Sequence, residues 1–118
     1  MNSNCVFCEI VAGPADGITF VRSWHDAVAF VPLNPVTPGH TLVIPRIHVA
    51  DFVQNSAVTA MTLRHAADLA RRIGGDFDLI TSKGAAATQS VMHLHVHLVP
   101  RRADDGLMLP WSEKASPS

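Results

Sequence analysis

Val91-Met92-His93-Leu94-His95-Val96-His97-Leu98-Val99 reads as one β-strand, stopped by Pro100. Side chains alternate across a strand, so His93, His95 and His97 share one face while Leu94, Val96 and Leu98 share the other, which belongs against a core. Consecutive imidazoles on a face cost β-propensity and burial, and threonine, lysine or glutamate would serve a merely solvated face as well. Two chemistries use such a repetition. Alternate histidines converge on zinc or copper, and a neutral imidazole is a nucleophile whose phosphorus adduct is labile enough to be hydrolysed.

Upstream, Gln89 and Ser90 offer an amide and a hydroxyl, and His40 sits in a Pro38-Gly39-His40 turn. Neutral donors beside histidines suit the non-bridging oxygens of a phosphate, where charge develops in the transition state. The rest of the chain reads as alternating short elements. Residues 5–11 form a short helix ended by Gly13-Pro14, and residues 18–21 and 27–31 form a hairpin around Ser23-Trp24-His25-Asp26. Pro32, Pro35, Pro38 and Gly39 impose an irregular loop before an apolar strand over 41–44. The long helix spans 56–73: Val58, Met61, His65, Leu69 and Ile73 recur on one face, and Gly74-Gly75 ends it. A strand over 78–81, the Ser82-Lys83-Gly84-Ala85 loop and the histidine strand complete the order. These elements predict an α+β domain: an antiparallel sheet of about five strands, one long helix and a short N-terminal helix.

The 118 residues are 47% hydrophobic and 16% charged, enough apolar material for one packed domain, placed at 1–111 with a flexible tail at 112–118. A net charge of −1 gives no field that would gather nucleic acid, so a bound anion must be held by local groups. No apolar run has the length of a spanning helix, and the first residues lack a signal peptide's basic and apolar regions. Cys5 and Cys8 are too few for a disulfide framework, so a cytoplasmic, reducing compartment is expected.

At the histidine strand the chain resembles the histidine triad family, whose motif is three histidines alternating with apolar residues and followed by two more. His93-Leu94-His95-Val96-His97-Leu98-Val99 matches it throughout, and Gln89-Ser90-Val91, Pro38-Gly39-His40-Thr41-Leu42-Val43-Ile44-Pro45 and Ala29-Phe30 are similar to the same family. The resemblance runs over residues 5–111. It implies cleavage at the α-phosphate of a nucleotide, or transfer of the nucleotidyl group, without a catalytic metal. The substrate is then a nucleoside phosphoramidate, a nucleotidyl adduct or a dinucleoside polyphosphate. On this resemblance His95 attacks phosphorus, which requires a neutral ring with Nδ1–H held by a backbone carbonyl and Nε2 free. His97 and Ser90 contact phosphate oxygens or the leaving group, with Gln89 nearby, and His40 helps set proton positions. Phe7, Ile10, Phe30 and Leu33 match positions lining the nucleobase pocket, although each alone reads equally well as core. The resemblance also implies a homodimer, with the 56–73 helix contributing to the interface.

Cys5-Val6-Phe7-Cys8 has the spacing of half a tetrahedral zinc site; two buried, inert thiols or a redox pair are the other readings. A branch of the family, and the related galactose-1-phosphate uridylyltransferases, pair such a motif with two histidines. The matching positions are His48 and His93, so the resemblance implies a structural zinc on Cys5, Cys8, His48 and His93. His25 reads as a solvent-facing turn residue and His65 as a core or interface histidine.

Two positions depart from the family pattern. Pro32 stands where many members carry an acid that binds the ribose hydroxyls, and Ser82 stands where asparagine is common; serine still donates to a phosphate oxygen, with shorter reach. Three functions are therefore weighed: a nucleotide hydrolase or transferase, a weakly active or inactive nucleotide-binding module, and a zinc-stabilised interaction protein whose histidines serve metal alone. The last predicts that His95 and His97 contact the metal.

Overall fold

The computed structural model describes residues 5–13 and 17–108. Trp111 and the tail at 112–118 lie outside these residues. The order is α1 (Val6–Ala12), β1 (Phe20–Ser23), β2 (Ala27–Phe30), β3 (Thr41–Pro45), α2 (Ser56–Ile73), β4 (Asp76–Ile80) and β5 (Val96–Arg101), with a short 3₁₀ turn at Ala85–Ala87. The strands form one antiparallel five-stranded sheet in the order β1-β2-β3-β5-β4, so the fold is the expected α+β arrangement. No helix among the described residues is long and apolar enough to cross a membrane.

The sheet is covered on both faces. On one, α1 sets Cys5, Phe7 and Ile10 against Val28, Phe30, Leu42 and Ile44. On the other, α2 sets Ala66 and Leu69 against Ala29, Val43, Val96 and Leu98. Phe30, Ile44, Leu94 and Leu98 are fully buried, and each such side chain contributes roughly 1.5–3 kcal/mol relative to exposure. His97 pairs with Leu42 on β3 and Ile80 on β4, which turns its ring toward the α1 face.

α2 has the expected bounds for visible reasons. The Asn55 side chain accepts from the N–H groups of Ala57 and Val58 at 3.1 and 3.2 Å, and Gly74, at φ +80°, donates its N–H to the Ala70 carbonyl. Arg71 and Arg72 complement the carbonyl end of the helix. Its buried stripe differs from the expected one: Thr62, Ala66 and Leu69 face the sheet, while Ile73 is 54% exposed. Small residues allow the helix to lie close against the strands, and the larger Val58, Met61 and His65 sit half-buried beside that line.

The largest correction concerns the histidine strand. It begins at Val96 rather than Val91, so only His97 of the three histidines lies in β5. The preceding backbone is drawn out of the ladder by other partners: Leu94 N–H donates to Val49 O at 2.8 Å, Val91 O accepts from Gln89, and His93 O accepts from the ring of His95. Smaller shifts occur elsewhere: α1 starts at Val6 with Cys5 as its cap, β1 starts at Phe20, and β4 starts at Asp76. The Pro38-Gly39-His40 turn is tight. Gly39 has φ +91°, and a Cβ there would lie 2.9 Å from Pro100 Cγ, so glycine lets the turn close against β5.

Candidate active site and metal cluster

Each of the four central imidazoles has one ring nitrogen fixed by a neighbouring group, which settles its tautomer. His93 is fully buried and donates Nε2–H to Pro45 O at 2.9 Å, leaving the Nδ1 lone pair free. His95 donates Nδ1–H to His93 O at 2.8 Å, leaving the Nε2 lone pair free. Val36 N–H donates to His40 Nδ1 at 3.1 Å, so His40 carries its proton on Nε2 and donates it to His97 Nδ1 at 3.0 Å. His97 is thereby left with Nε2–H as its outward donor.

Electrostatics keep this pair neutral. Burial lowers His40, and burial followed by the charges of His95 and His40 pushes His97 down to about 4. His97 is thus a neutral hydrogen-bond donor. The two rings lie 5.3 Å apart between centroids, and the Phe7 ring stands edge-on to His95 at 5.0 Å.

A cleft of about 620 Å³ opens beside the imidazoles. Phe7, Ile10, Phe30 and Leu33 all line it, together with His40 and His97. Pro32 lines it too and brings no side-chain acceptor. A second cavity of about 250 Å³ shares Val36, His40 and His97 with the first and extends over β4 and β5. Arg101 lines this cavity, but Asp78 and Asp105 hold it at 2.6 and 2.8 Å. The two carboxylates raise Arg101 further, and Arg101 holds Asp105 well below the usual carboxylate range. Its charge is committed to the fold.

Gln89 is buried, and both ends of its amide are engaged: Nε2 donates to Ala50 O and Val91 O, and Oε1 accepts from Gly84 N–H. It braces the loop before the triad and has no amide group left over for a ligand. Ser90 follows it on the exposed side, and Ser82 is half-buried in the loop after β4. Thr81 was not anticipated. Its Oγ1 donates to His95 O at 2.8 Å, at the point where the β4–β5 ladder stops with Ile80 and His97. A side chain there takes over from the sheet in holding the residue that carries the free imidazole nitrogen.

Cys5, Cys8, His48 and His93 bring their ligand atoms within 4.8 Å of one another. His93 Nδ1 lies 3.4 Å from Cys5 Sγ, 3.5 Å from Cys8 Sγ and 3.2 Å from His48 Nδ1, and His48 Nδ1 lies 3.2 Å from Cys8 Sγ. Ideal tetrahedral zinc places nitrogens about 3.3 Å apart and nitrogen and sulfur about 3.5 Å apart. The donor set and spacing therefore fit zinc, with four protein ligands and no open position. Burial, then Cys5, pushes the Cys8 thiol up to about 11; a bound divalent cation favours the thiolate instead. Among the described residues this cluster takes in His93 alone of the triad, contrary to a role for all three on metal.

The remaining histidines are apart from the site. His25 is solvent-facing, with its side chain 94% exposed. His65 stacks on Trp24 at 4.2 Å and contacts Asp26 Oδ1 at 2.7 Å, tying α2 to the β1–β2 turn.

Three alternating histidines, a hydrogen-bonded His40–His97 pair and an apolar cleft beside this sheet are the marks of a histidine triad protein. The chain belongs to the HIT domain family, whose profile matches residues 19–104. It is 35% identical to "Protein hit" of Bacillus subtilis over 119 aligned positions, covering 95% of this chain and 81% of that protein. It is 30% identical to a protein of Arabidopsis thaliana named adenylylsulfatase HINT3, covering 92% of this chain and 57% of the relative. Among solved structures, a zinc-bound histidine triad family protein from Mycobacterium smegmatis superposes with a TM-score of 0.75 at 34% identity, covering 91% of this chain and 81% of that one.

Proposed function

We propose that this chain hydrolyses or transfers nucleotides at the α-phosphate through a covalent nucleotidyl group on His95. The observation that carries the reading is the His95 Nδ1–H held by His93 O, the arrangement in which a neutral ring turns its Nε2 lone pair outward. The family relationship and the kinship with a protein named an adenylylsulfatase support a nucleotidyl substrate.

The nucleobase lies in the apolar cleft lined by Phe7, Ile10, Phe30 and Leu33. His95 Nε2 attacks phosphorus, forming a P–N bond as the bond to the leaving group breaks. The leaving group departs toward the smaller cavity beyond His97, carrying away the bonding electron pair and taking a proton from solvent. His97 Nε2–H donates to a phosphate oxygen as charge builds there, with Ser90 and Ser82 as further hydroxyl donors. In the second step water attacks phosphorus and gives up a proton to solvent, the P–N bond breaks and His95 regains its lone pair. Zinc, when bound to Cys5, Cys8, His48 and His93, supplies structural cross-linking rather than a Lewis acid at phosphorus.

The test is release of AMP from adenosine 5′-phosphoramidate, with intact-mass detection of an adenylyl adduct. His95→Ala should remove both turnover and adduct. Unchanged turnover in that variant, or no turnover by the wild type with any nucleotidyl donor, overturns the reading. Pro32 in the cleft favours a second reading, a nucleotide-binding module with little catalysis. Tight calorimetric binding without adduct or turnover would select it.

A further inference from the structure

The larger cleft is apolar along most of its length, yet two polar side chains besides the imidazoles line it: Glu9 and Asn34. Val6, Glu9, Ile10 and Gly13 all line the cleft and recur at three- and four-residue intervals, so they form the face that α1 turns toward it. Glu9 stands in the middle of that face. Cys5 and Cys8, on a different face, turn to the metal cluster. Asn34 comes from the other wall, formed by Pro32, Leu33, Asn34 and Val36 after β2. Both residues are exposed at the cleft mouth, so the fold makes little use of them.

A nucleotide presents three parts to such a cleft. Its phosphate needs the neutral donor at His97, and its base needs the apolar floor. Its sugar carries vicinal hydroxyls, which donate to an acceptor or to water, and the Pro32 side chain offers no acceptor. We infer that Glu9 and Asn34 form the sugar subsite, the Glu9 carboxylate accepting from the ribose diol and the Asn34 amide completing it from the opposite wall. This rests on the nucleotide reading above and names the specificity of the same site. The carboxylate has a second effect: it repels a phosphate placed at the mouth, so only the orientation with phosphate at the histidines is favoured.

The test compares adenosine 5′-phosphoramidate with its 2′,3′-dideoxy counterpart, reading kcat/KM for each, and AMP with dideoxy-AMP by calorimetry. Hydrogen bonds at an exposed mouth are modest, so the wild type should prefer the ribose compounds by about tenfold. In Glu9→Ala that preference should fall to about threefold or less, and in Glu9→Ala plus Asn34→Ala it should vanish. The ratio within each variant is the readout, so a general loss of activity does not mimic the result, and melting curves confirm folding. A ribose preference that is absent in the wild type, or that survives in the double variant, overturns the sugar subsite while leaving the nucleotide reading intact. Failure of the wild type to bind or turn over either sugar overturns both.

Discussion

Thr81 holds the backbone of His95, the proposed nucleophile, through a single hydroxyl. A neutral hydrogen bond of this kind contributes about 1 kcal/mol, so Thr81→Val should lower kcat about five- to tenfold with little change in KM. Thr81→Ser should restore most of the rate, which a role in packing alone would not produce. His97 makes a second prediction. Its ordinary value of 6.5 is pushed down to about 4, first by burial and then by His95 and His40. Between those values the unfolded chain binds a proton that the folded chain refuses, so stability from this group falls as pH drops through that window and is level outside it. Ring NMR should show a neutral Nε2–H tautomer down to about pH 5 and a midpoint near 4; a midpoint near 6.5 would refute the relay. Residues of this kind were only partly legible. His40, His95 and His97 stand in a recognisable pattern, but Thr81 acquires its role from where one ladder ends, which no local pattern encodes. Arg101 was missed for a similar reason, since its partners Asp78 and Asp105 come from β4 and the following turn.

α1 is the element on which two functions meet. It carries Cys8, is capped by Cys5, and presents Phe7 and Ile10 to the cleft. Seven residues make too short a helix to persist by propensity alone, so its attachment must come from packing and from the cysteine–histidine cluster. Purified protein should hold about one zinc per chain, and Cys5→Ser plus Cys8→Ser should remove it, lower Tm and weaken nucleotide binding together. Unchanged metal content would show that the cluster binds none. The elements themselves were read with uneven success. α2 was bounded correctly because a helical recurrence runs its whole length and Gly74 stands just past its end, although the buried stripe was misplaced. β5 was begun five residues early because alternation of histidine and apolar residues continues through 91–95 while the backbone there bonds to Val49, Gln89 and His95 instead. Side-chain alternation marks a strand only where the ladder accompanies it.

At the scale of the molecule, β4 is an outer strand of the sheet, with Leu79 43% and Ile80 36% exposed. Ile73, at the end of α2 just before it, is 54% exposed. Bare edges with apolar side chains invite pairing. Together with the family resemblance this supports a two-fold homodimer joined through β4 and α2, and light scattering should return twice the chain mass; a single-chain mass would remove the dimer. The sheet order itself was not predicted, since local patterns do not say which strands become neighbours. The placing of Cys5 and Cys8 beside His48 and His93 followed from resemblance, because spacing shows only that two thiols are close in sequence.

The link between Cys5 and His93 spans 88 positions. During synthesis the two thiols emerge before His48 and well before His93. Closing so long a loop carries an entropic cost that grows with its length. A chain cut before His93 loses His95, His97 and one ligand of the cysteine–histidine cluster at a stroke, while the apolar lining of the cleft from Val6 to Leu42 is still encoded.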